Sequence, residues 1–179
     1  MQSSLVITII GPDRPGLVES LSHTVTENGG NWLQSQMAHL AGQFAGILLI
    51  EIPSAQADQL THALDALAKD GLTISVVAGN HPQSAASPSS SGCVLQLEVV
   101  GQDQPGIVRQ ISAVIAAHSG NVEELNTKLS SAPWSGETLF QANALLRMPD
   151  EQSLDDFRSD LEAITQDLMV DLSLVQQVK

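Results

Sequence analysis

The sequence predicts an α+β chain built from two copies of one small unit, each with the element order β-α-β-β-α-β. Three observations predict it. First, Gly11-Pro12-Asp13-Arg14-Pro15-Gly16-Leu17-Val18 returns as Gly101-Gln102-Asp103-Gln104-Pro105-Gly106-Ile107-Val108, 90 residues further on. Second, the same offset carries Ser22 onto Ser112 and Gly30-Asn31 onto Gly120-Asn121, and an insertion of six residues then moves Phe44 onto Phe140 and Pro53 onto Pro149. Third, apolar residues switch between strand-like and helix-like spacing in the same order in both halves. A duplication of this length means two domains rather than a repeated motif.

The elements follow in order. Leu5 to Ile10 is short, β-branched and apolar at nearly every position, which predicts a strand buried on both faces. Gly11 to Gly16 stops it. Asp13 is placed to cap a helix, and Pro15 suits the first helical turn, where a missing N–H is harmless. Leu17, Val18, Leu21 and Val25 recur at helical spacing, and Asn28-Gly29-Gly30 ends the helix. Asn31 to Ala41 reads as a strand, Gly42-Gln43 as a turn, and Phe44 to Ile52 as the returning strand, which Pro53 interrupts. Leu60, Leu64 and Leu67 mark a second helix closed by Gly71; Leu72, Ile74 and Val76 alternate in a last strand.

The second copy repeats the order. Val94 to Val100 is its first strand, with Leu95, Leu97 and Val99 on one face. Ile107, Val108, Ile111, Val114 and Ile115 form a helical stripe ended by Ser119-Gly120. Asn121 to Ser130 and Thr138 to Met148 read as paired strands with a longer connection. Leu154, Phe157, Leu161, Ile164 and Leu168 lie on one helix face, with Ser153 as a candidate cap and Asp155 and Asp156 near the positive helix end. Val170, Leu172 and Leu174 alternate in the final strand. The domains expected are 1–80 and 93–179, joined by a Ser/Pro-rich linker at 81–92. Each is a ferredoxin-like split βαβ sandwich, with two helices on one face of a four-stranded antiparallel sheet. Its edge strands expose unpaired backbone, so association with another copy is a natural outcome and a homo-oligomer is expected.

Composition narrows the function. Seven Lys and Arg against 20 Asp and Glu leave a formal charge of −13. A phosphate-binding surface needs the opposite balance, so direct nucleic-acid binding is not expected. With no Tyr and 3% aromatic residues, base-stacking platforms are also disfavoured. No apolar run is long enough for a bilayer, and Met1 leads into a strand without a basic flank, so neither membrane span nor secretory signal is expected. A single cysteine, Cys93, forbids an internal disulfide and fits a reducing compartment, so the expected location is cytoplasmic. The scattered histidines have no ligand spacing, and no metal or cofactor is expected.

Asp13-Arg14-Pro15-Gly16-Leu17-Val18 after a first strand, with Gly29-Gly30-Asn31 before the second, resembles the ACT domain, a small regulatory module that often binds amino acids. The resemblance covers nearly the whole chain apart from the linker. Ala132-Pro133-Trp134-Ser135-Gly136-Glu137-Thr138-Leu139-Phe140 further resembles the connection found in the glycine cleavage system transcriptional repressor family. That family consists of two ACT domains and little else. It is held to act through a partner regulator, a transcriptional activator, rather than by reading DNA alone. The resemblance implies a non-enzymatic regulator of glycine metabolism that senses a small amino-acid effector, glycine being the family's candidate.

The chemistry of the loop is compatible with that role. Backbone N–H groups at a helix start are unpaired and carry the positive end of the helix dipole, so a carboxylate can rest on them without a basic side chain. Glycine permits close approach, and an Asn amide offers both a donor and an acceptor to the two ends of an amino acid. By resemblance the site residues are Asp13, Arg14, Pro15, Gly16, Gly30 and Asn31 in the first copy. In the second they are Asp103, Gln104, Pro105, Gly106, Gly120 and Asn121. Turn chemistry alone also accounts for these residues, since Asp-x-Pro-Gly suits a strand-to-helix turn and Gly-Asn ends helices. A ligand-free oligomerisation scaffold therefore stays open, as does a regulatory subunit acting in trans on a metabolic enzyme.

Catalysis in cis is not expected. Similar ACT domains precede the catalytic domains of formyltetrahydrofolate deformylase and some phosphoserine phosphatases, but here both halves are consumed by the repeat. No Ser/His/Asp order, P-loop or paired-carboxylate cleft is visible. Trp32 and Trp134 are candidate interface anchors or ordinary core residues.

Overall fold

The computed structural model describes residues 1–68, 71–79, 92–131, 136–149 and 154–177. The chain divides into two compact units, Met1–Ala86 and Ser87–Lys179. In the first, strand β1 (Gln2–Pro12) leads to helix α1 (Leu17–Glu27), the hairpin β2 (Asn31–Leu40) and β3 (Gln43–Pro53), a single 3-10 turn (Ser54–Gln56), helix α2 (Ala57–Ala68) and β4 (Thr73–Ala78). The second runs β5 (Cys93–Gln102), α3 (Ile107–Ala117), β6 (Asn121–Ser131), β7 (Thr138–Met148), α4 (Leu154–Leu168) and β8 (Val170–Gln177). Both sheets are antiparallel, with orders β2-β3-β1-β4 and β6-β7-β5-β8. The two ferredoxin-like sandwiches are thus the same fold formed twice.

Alternation decides which face is covered. Leu5, Ile7 and Ile9 on β1 and Leu48, Ile50 and Ile52 on β3 are buried against Leu17, Leu21 and Val25 of α1 and Leu60 and Leu64 of α2. The second core repeats this with Leu95, Leu97 and Val99 beneath Ile107, Ile111 and Ile115 of α3 and Phe157 and Leu161 of α4. Side chains one position out of phase point to the open sheet face, where Ile10, Ile47 and Val77 are about half exposed. The expectation that β1 is buried on both faces is corrected here. A split βαβ sandwich has helices on one side only, so an apolar residue on the other phase stays in contact with solvent.

Local boundaries also shift. β1 runs on through Gly11 and Pro12 because β3 offers a partner along its whole length, pairing Gly11 with Phe44 and Pro12 with Gln43. The hairpin turn is Ala41-Gly42, not Gly42-Gln43: both have positive φ (50° and 79°), which makes a two-residue type I′ turn between the paired Leu40 and Gln43. Gly11 is also a packing requirement. A Cβ there would sit 2.7 Å from Leu72 Cδ2 and 2.8 Å from the Gly71 carbonyl oxygen, where β4 begins. The predicted Ser153 cap, the Trp134 anchor and the linker at 81–91 lie outside the described residues.

Candidate functional site

The strand-to-helix corner is built by a Pro-Gly pair. Gly16 has φ 85° and ψ 3°, and Gly106 has φ 102° and ψ −5°. With proline before it, that is the geometry of a type II turn, in which the third position needs positive φ and therefore glycine. Both glycines are the N-cap residues of their helices, and neither helix has a side-chain cap. The first helical hydrogen bonds are Ser20 N–H to the Gly16 carbonyl (2.9 Å) and Gln110 N–H to the Gly106 carbonyl (3.0 Å). The amides of Leu17, Val18 and Glu19, and of Ile107, Val108 and Arg109, therefore have no intrahelical acceptor. Nothing lies within 4 Å of where a Cβ would stand on Gly16 or Gly106, so the space at each corner is open.

Two expectations are corrected at this corner. Asp13 does not cap α1: its N–H donates to the Gly42 carbonyl (2.9 Å), and its carboxylate lies 3.6 Å from His39 Nε2. Pro15 stands before the helix rather than in its first turn, because the left-handed glycine takes the cap position and starts the helix two residues later. In the second unit Asp103 N–H likewise donates to the Thr138 carbonyl (3.0 Å). Gln104 turns inward and gives its Nε2–H to the Leu168 carbonyl at the end of α4. Each loop is thus stitched to the neighbouring strand connection, a link that a linear reading of the motif missed. A backbone bond of this kind leaves no residue-type signal.

The second predicted group, Gly30-Asn31 and Gly120-Asn121, sits at the other end of the helix. Eleven residues of α1 at about 1.5 Å each separate the two groups by roughly 16 Å. The sheet agrees: Asn31 pairs with Glu51, whereas the loop bonds to Gly42, just before β3 begins. Within one unit, no molecule the size of a simple amino acid touches both groups. Gly30 and Gly120 have a packing reason of their own, since a Cβ would approach Val25 Cγ1 to 2.8 Å and Met148 Sδ to 2.6 Å respectively. They complete a Schellman ending, in which Gly30 N–H bonds to the Val25 carbonyl and Gly120 N–H to the Ile115 carbonyl, both at 2.9 Å. Asn31 and Asn121 are exposed at the first position of β2 and β6.

Charge distinguishes the two corners. Glu19 lies in the first turn of α1; its counterpart in α3 is Arg109, and that turn has no acidic residue. A carboxylate approaching the second corner meets the positive helix end with Arg109 set against Asp103, while at the first it meets both Glu19 and Asp13 with Arg14 set against them. Among the described residues no three His, Cys, Asp or Glu side chains cluster as a metal site requires. No helix there is long and apolar enough to cross a membrane.

Fold and corners together define a tandem ferredoxin-like protein whose duplicated helix starts face open space. Residues 3–77, within the first unit, match the model of the ACT domain, the second unit repeats the same sheet order, and the chain is similar to the glycine cleavage system transcriptional repressors. It is 29% identical over 131 residues to the glycine cleavage system transcriptional repressor of Escherichia coli, covering 73% of this chain and 67% of that one. A solved structure of a protein of unknown function from Galdieria sulphuraria superposes with a TM-score of 0.88 at 29% identity, covering 99% of this chain and 100% of that one. A second solved structure, provisionally assigned to the glycine cleavage system repressors, has a TM-score of 0.68 over 100% of this chain and 99% of its own; at 20% identity it shows the fold alone. These similarities support a regulatory role.

Proposed function

We propose that this chain is a non-enzymatic regulator that senses a small amino acid, glycine being the first candidate, and acts on transcription through a protein partner. The observation that carries the reading is the pair of helix starts, each uncapped and open in front of a left-handed glycine. Such a corner takes a carboxylate on backbone amides. Arg109 makes the second corner the better acceptor. The ammonium end of the effector then faces the Asp103 carboxylate of the same loop and an acceptor brought by another surface, because Asn121 is a helix length away. A ligand bound between surfaces that can separate has the differential affinity a regulator requires.

In this reading the domains are 1–80 and 93–179, the linker is 81–92, the protein is cytoplasmic, and it makes no direct contact with nucleic acid. The half-exposed Ile10, Ile47 and Val77 on the open face of the first sheet support self-association. The test is amide NMR of the full chain titrated with a panel of amino acids. Saturable shifts at Ile107, Val108 and Arg109, larger than those at Leu17, Val18 and Glu19, are expected for one or a few of them. Flat amides across the panel would refute effector binding.

A specific observation favours the scaffold as the second reading. Every motif glycine has a sufficient backbone or packing reason, Gly16 and Gly106 by positive φ and Gly11, Gly30, Gly101 and Gly120 by close approach. A flat titration together with a concentration-dependent sedimentation coefficient would select it.

A further inference from the structure

We propose that two copies of this chain pair through the open sheet face of the first unit, each face laid on the other about a two-fold axis parallel to the strands. This pairing rests on the self-association read above and fixes its surface; it needs no effector. Ile10, Ile47 and Val77 on that face are 51%, 46% and 54% exposed, and Val6 and Leu49 beside them are half-buried. Sheets that stack face to face keep their strands nearly aligned, about 10 Å apart, and interdigitate side chains of this kind.

The second unit serves as an internal control, because its sheet has the same strand order and its registers give matching positions. Across the open face, Thr8 lies between Ile47 and Ser75 where Glu98 lies between Asn143 and Ser173. One adjacent row has Ala38 and Thr73 where the second unit has Lys128 and Asp171. The row on the other side has Gln34 and Val6 where the second unit has Glu124 and Gln96. These three rows carry no charge in the first sheet and four charges in the second. Covering a charged side chain is costly unless it is paired, so the second face stays in water. The first loses water from apolar groups alone, which favours association.

Shape and charge select a second copy as the occupant. A hollow on the β2–β3 side of the face is lined by Val6, Gln34, Gln36, Ile47 and Leu49, while Val77 stands out on β4 at the opposite side. With the order β2-β3-β1-β4, an axis along the strands sets β4 of one copy over β2 of the other, and β1 over β3. Val77 of each copy then enters the other's hollow beside Gln34. Ile47 meets Thr8 and Ile10 meets Ala45, so large side chains face small ones as close packing requires. The chain as a whole carries a charge of −13, which keeps copies apart wherever acidic surfaces meet; this uncharged face is where they can approach. Four strands about 4.8 Å apart and three rows about 6.7 Å apart make a patch of roughly 400 Å² in plan. A standard interface takes about 800 Å² from each partner, so this dimer is weak and dissociates on dilution.

The test is methyl NMR of the full chain labelled at Ile, Leu and Val over a hundredfold range of concentration, with sedimentation equilibrium on the same samples. Dimerisation with shifts at Ile10, Ile47, Leu49 and Val77 is expected, while Val100, Leu145 and Val175 at the matching positions of the second unit stay unmoved. Ile47→Glu, at a half-exposed position, should weaken association at least tenfold, and Asn143→Glu should leave it unchanged. An equimolar mixture of Ile47→Glu and Thr8→Lys chains should associate at least tenfold more tightly than either variant alone, since the new carboxylate and ammonium face each other between copies. A chain that stays monomeric throughout would refute this pairing and self-association together. A dimer whose shifts fall on Leu33, Leu125 and Leu129 of the edge strands would keep self-association and overturn this surface. Association untouched by Ile47→Glu, or a mixture no tighter than its parts, would overturn it equally.

Discussion

Gly30→Ala separates the packing role of the Gly-Asn corner from a ligand-binding one. A Cβ at this position would stand 2.8 Å from Val25 Cγ1, 3.0 Å from the Val25 carbonyl oxygen and 3.6 Å from Ile50 Cδ1. Neither neighbour has room to retreat: Val25 is 1% exposed and Ile50 is 0% exposed. The backbone is pinned as well, because Gly30 N–H bonds to the same Val25 carbonyl. Overpacking of this kind costs about 1–3 kcal/mol. Alanine returns roughly 0.5–1 kcal/mol by restricting the unfolded chain. The net loss is about 0–2.5 kcal/mol, and at about 4–8 °C per kcal/mol for a domain of this size a mid-range loss of about 1 kcal/mol lowers the first unit's melting transition by roughly 4–8 °C. Differential scanning calorimetry of the full chain reads this directly. A companion pair sharpens it: Gly16, in open space with φ 85°, should accept Asn better than Ala, while Gly30 should accept Ala better than Asn. A Gly30→Ala variant more stable than wild type by about 0.5–1 kcal/mol, the gain alanine gives where nothing is overpacked, would refute the packing argument and return this glycine to the effector site.

Other outcomes follow from the same geometry. Ser119 closes α3 at φ 55° where Gly29 closes α1 at φ 75°, so Ser119→Gly should stabilise the second unit by about 0.5–1 kcal/mol and raise its urea midpoint without changing the m-value. Ala41 sits at the first central position of the type I′ turn, so Ala41→Asn should raise the first unit's melting temperature by a few degrees, scaling as about 0.5 kcal/mol. Gln104→Ala removes the donor to the Leu168 carbonyl and should cost about 1–3 kcal/mol; faster hydrogen exchange at Val170 would localise the loss to the α4–β8 corner. Phe157 is fully buried, and Phe157→Ala should cost about 3–5 kcal/mol in denaturant unfolding while leaving the first unit's transition in place.

The doubled fold was legible in the chain itself because its signals are local. Strand alternation at Leu95, Leu97 and Val99, the helical stripe at Ile107, Ile111 and Ile115, and the Gly-bearing helix endings are all written within a few residues of one another. The Pro-Gly corner was legible as a turn for the same reason, since positive φ is a property of a single residue. What governs the helix start was not. Asp13 looks like a cap by its position, but the Gly42 carbonyl on the hairpin captures its N–H and His39 stands near its carboxylate.

Only the tertiary structure decided how the motif residues are shared out. It sets Gly16 and Asn31 at opposite ends of α1, because an intervening helix is a rigid rod whatever the spacing suggests. It also decided that one edge of the duplicated sandwich is closed by Trp32 and the other left open at Val122 and Ala144. Residues that face each other across a sheet are coupled by contact, and contact between distant parts of a chain is fixed by how the layers pack, not by the order in which the residues are joined.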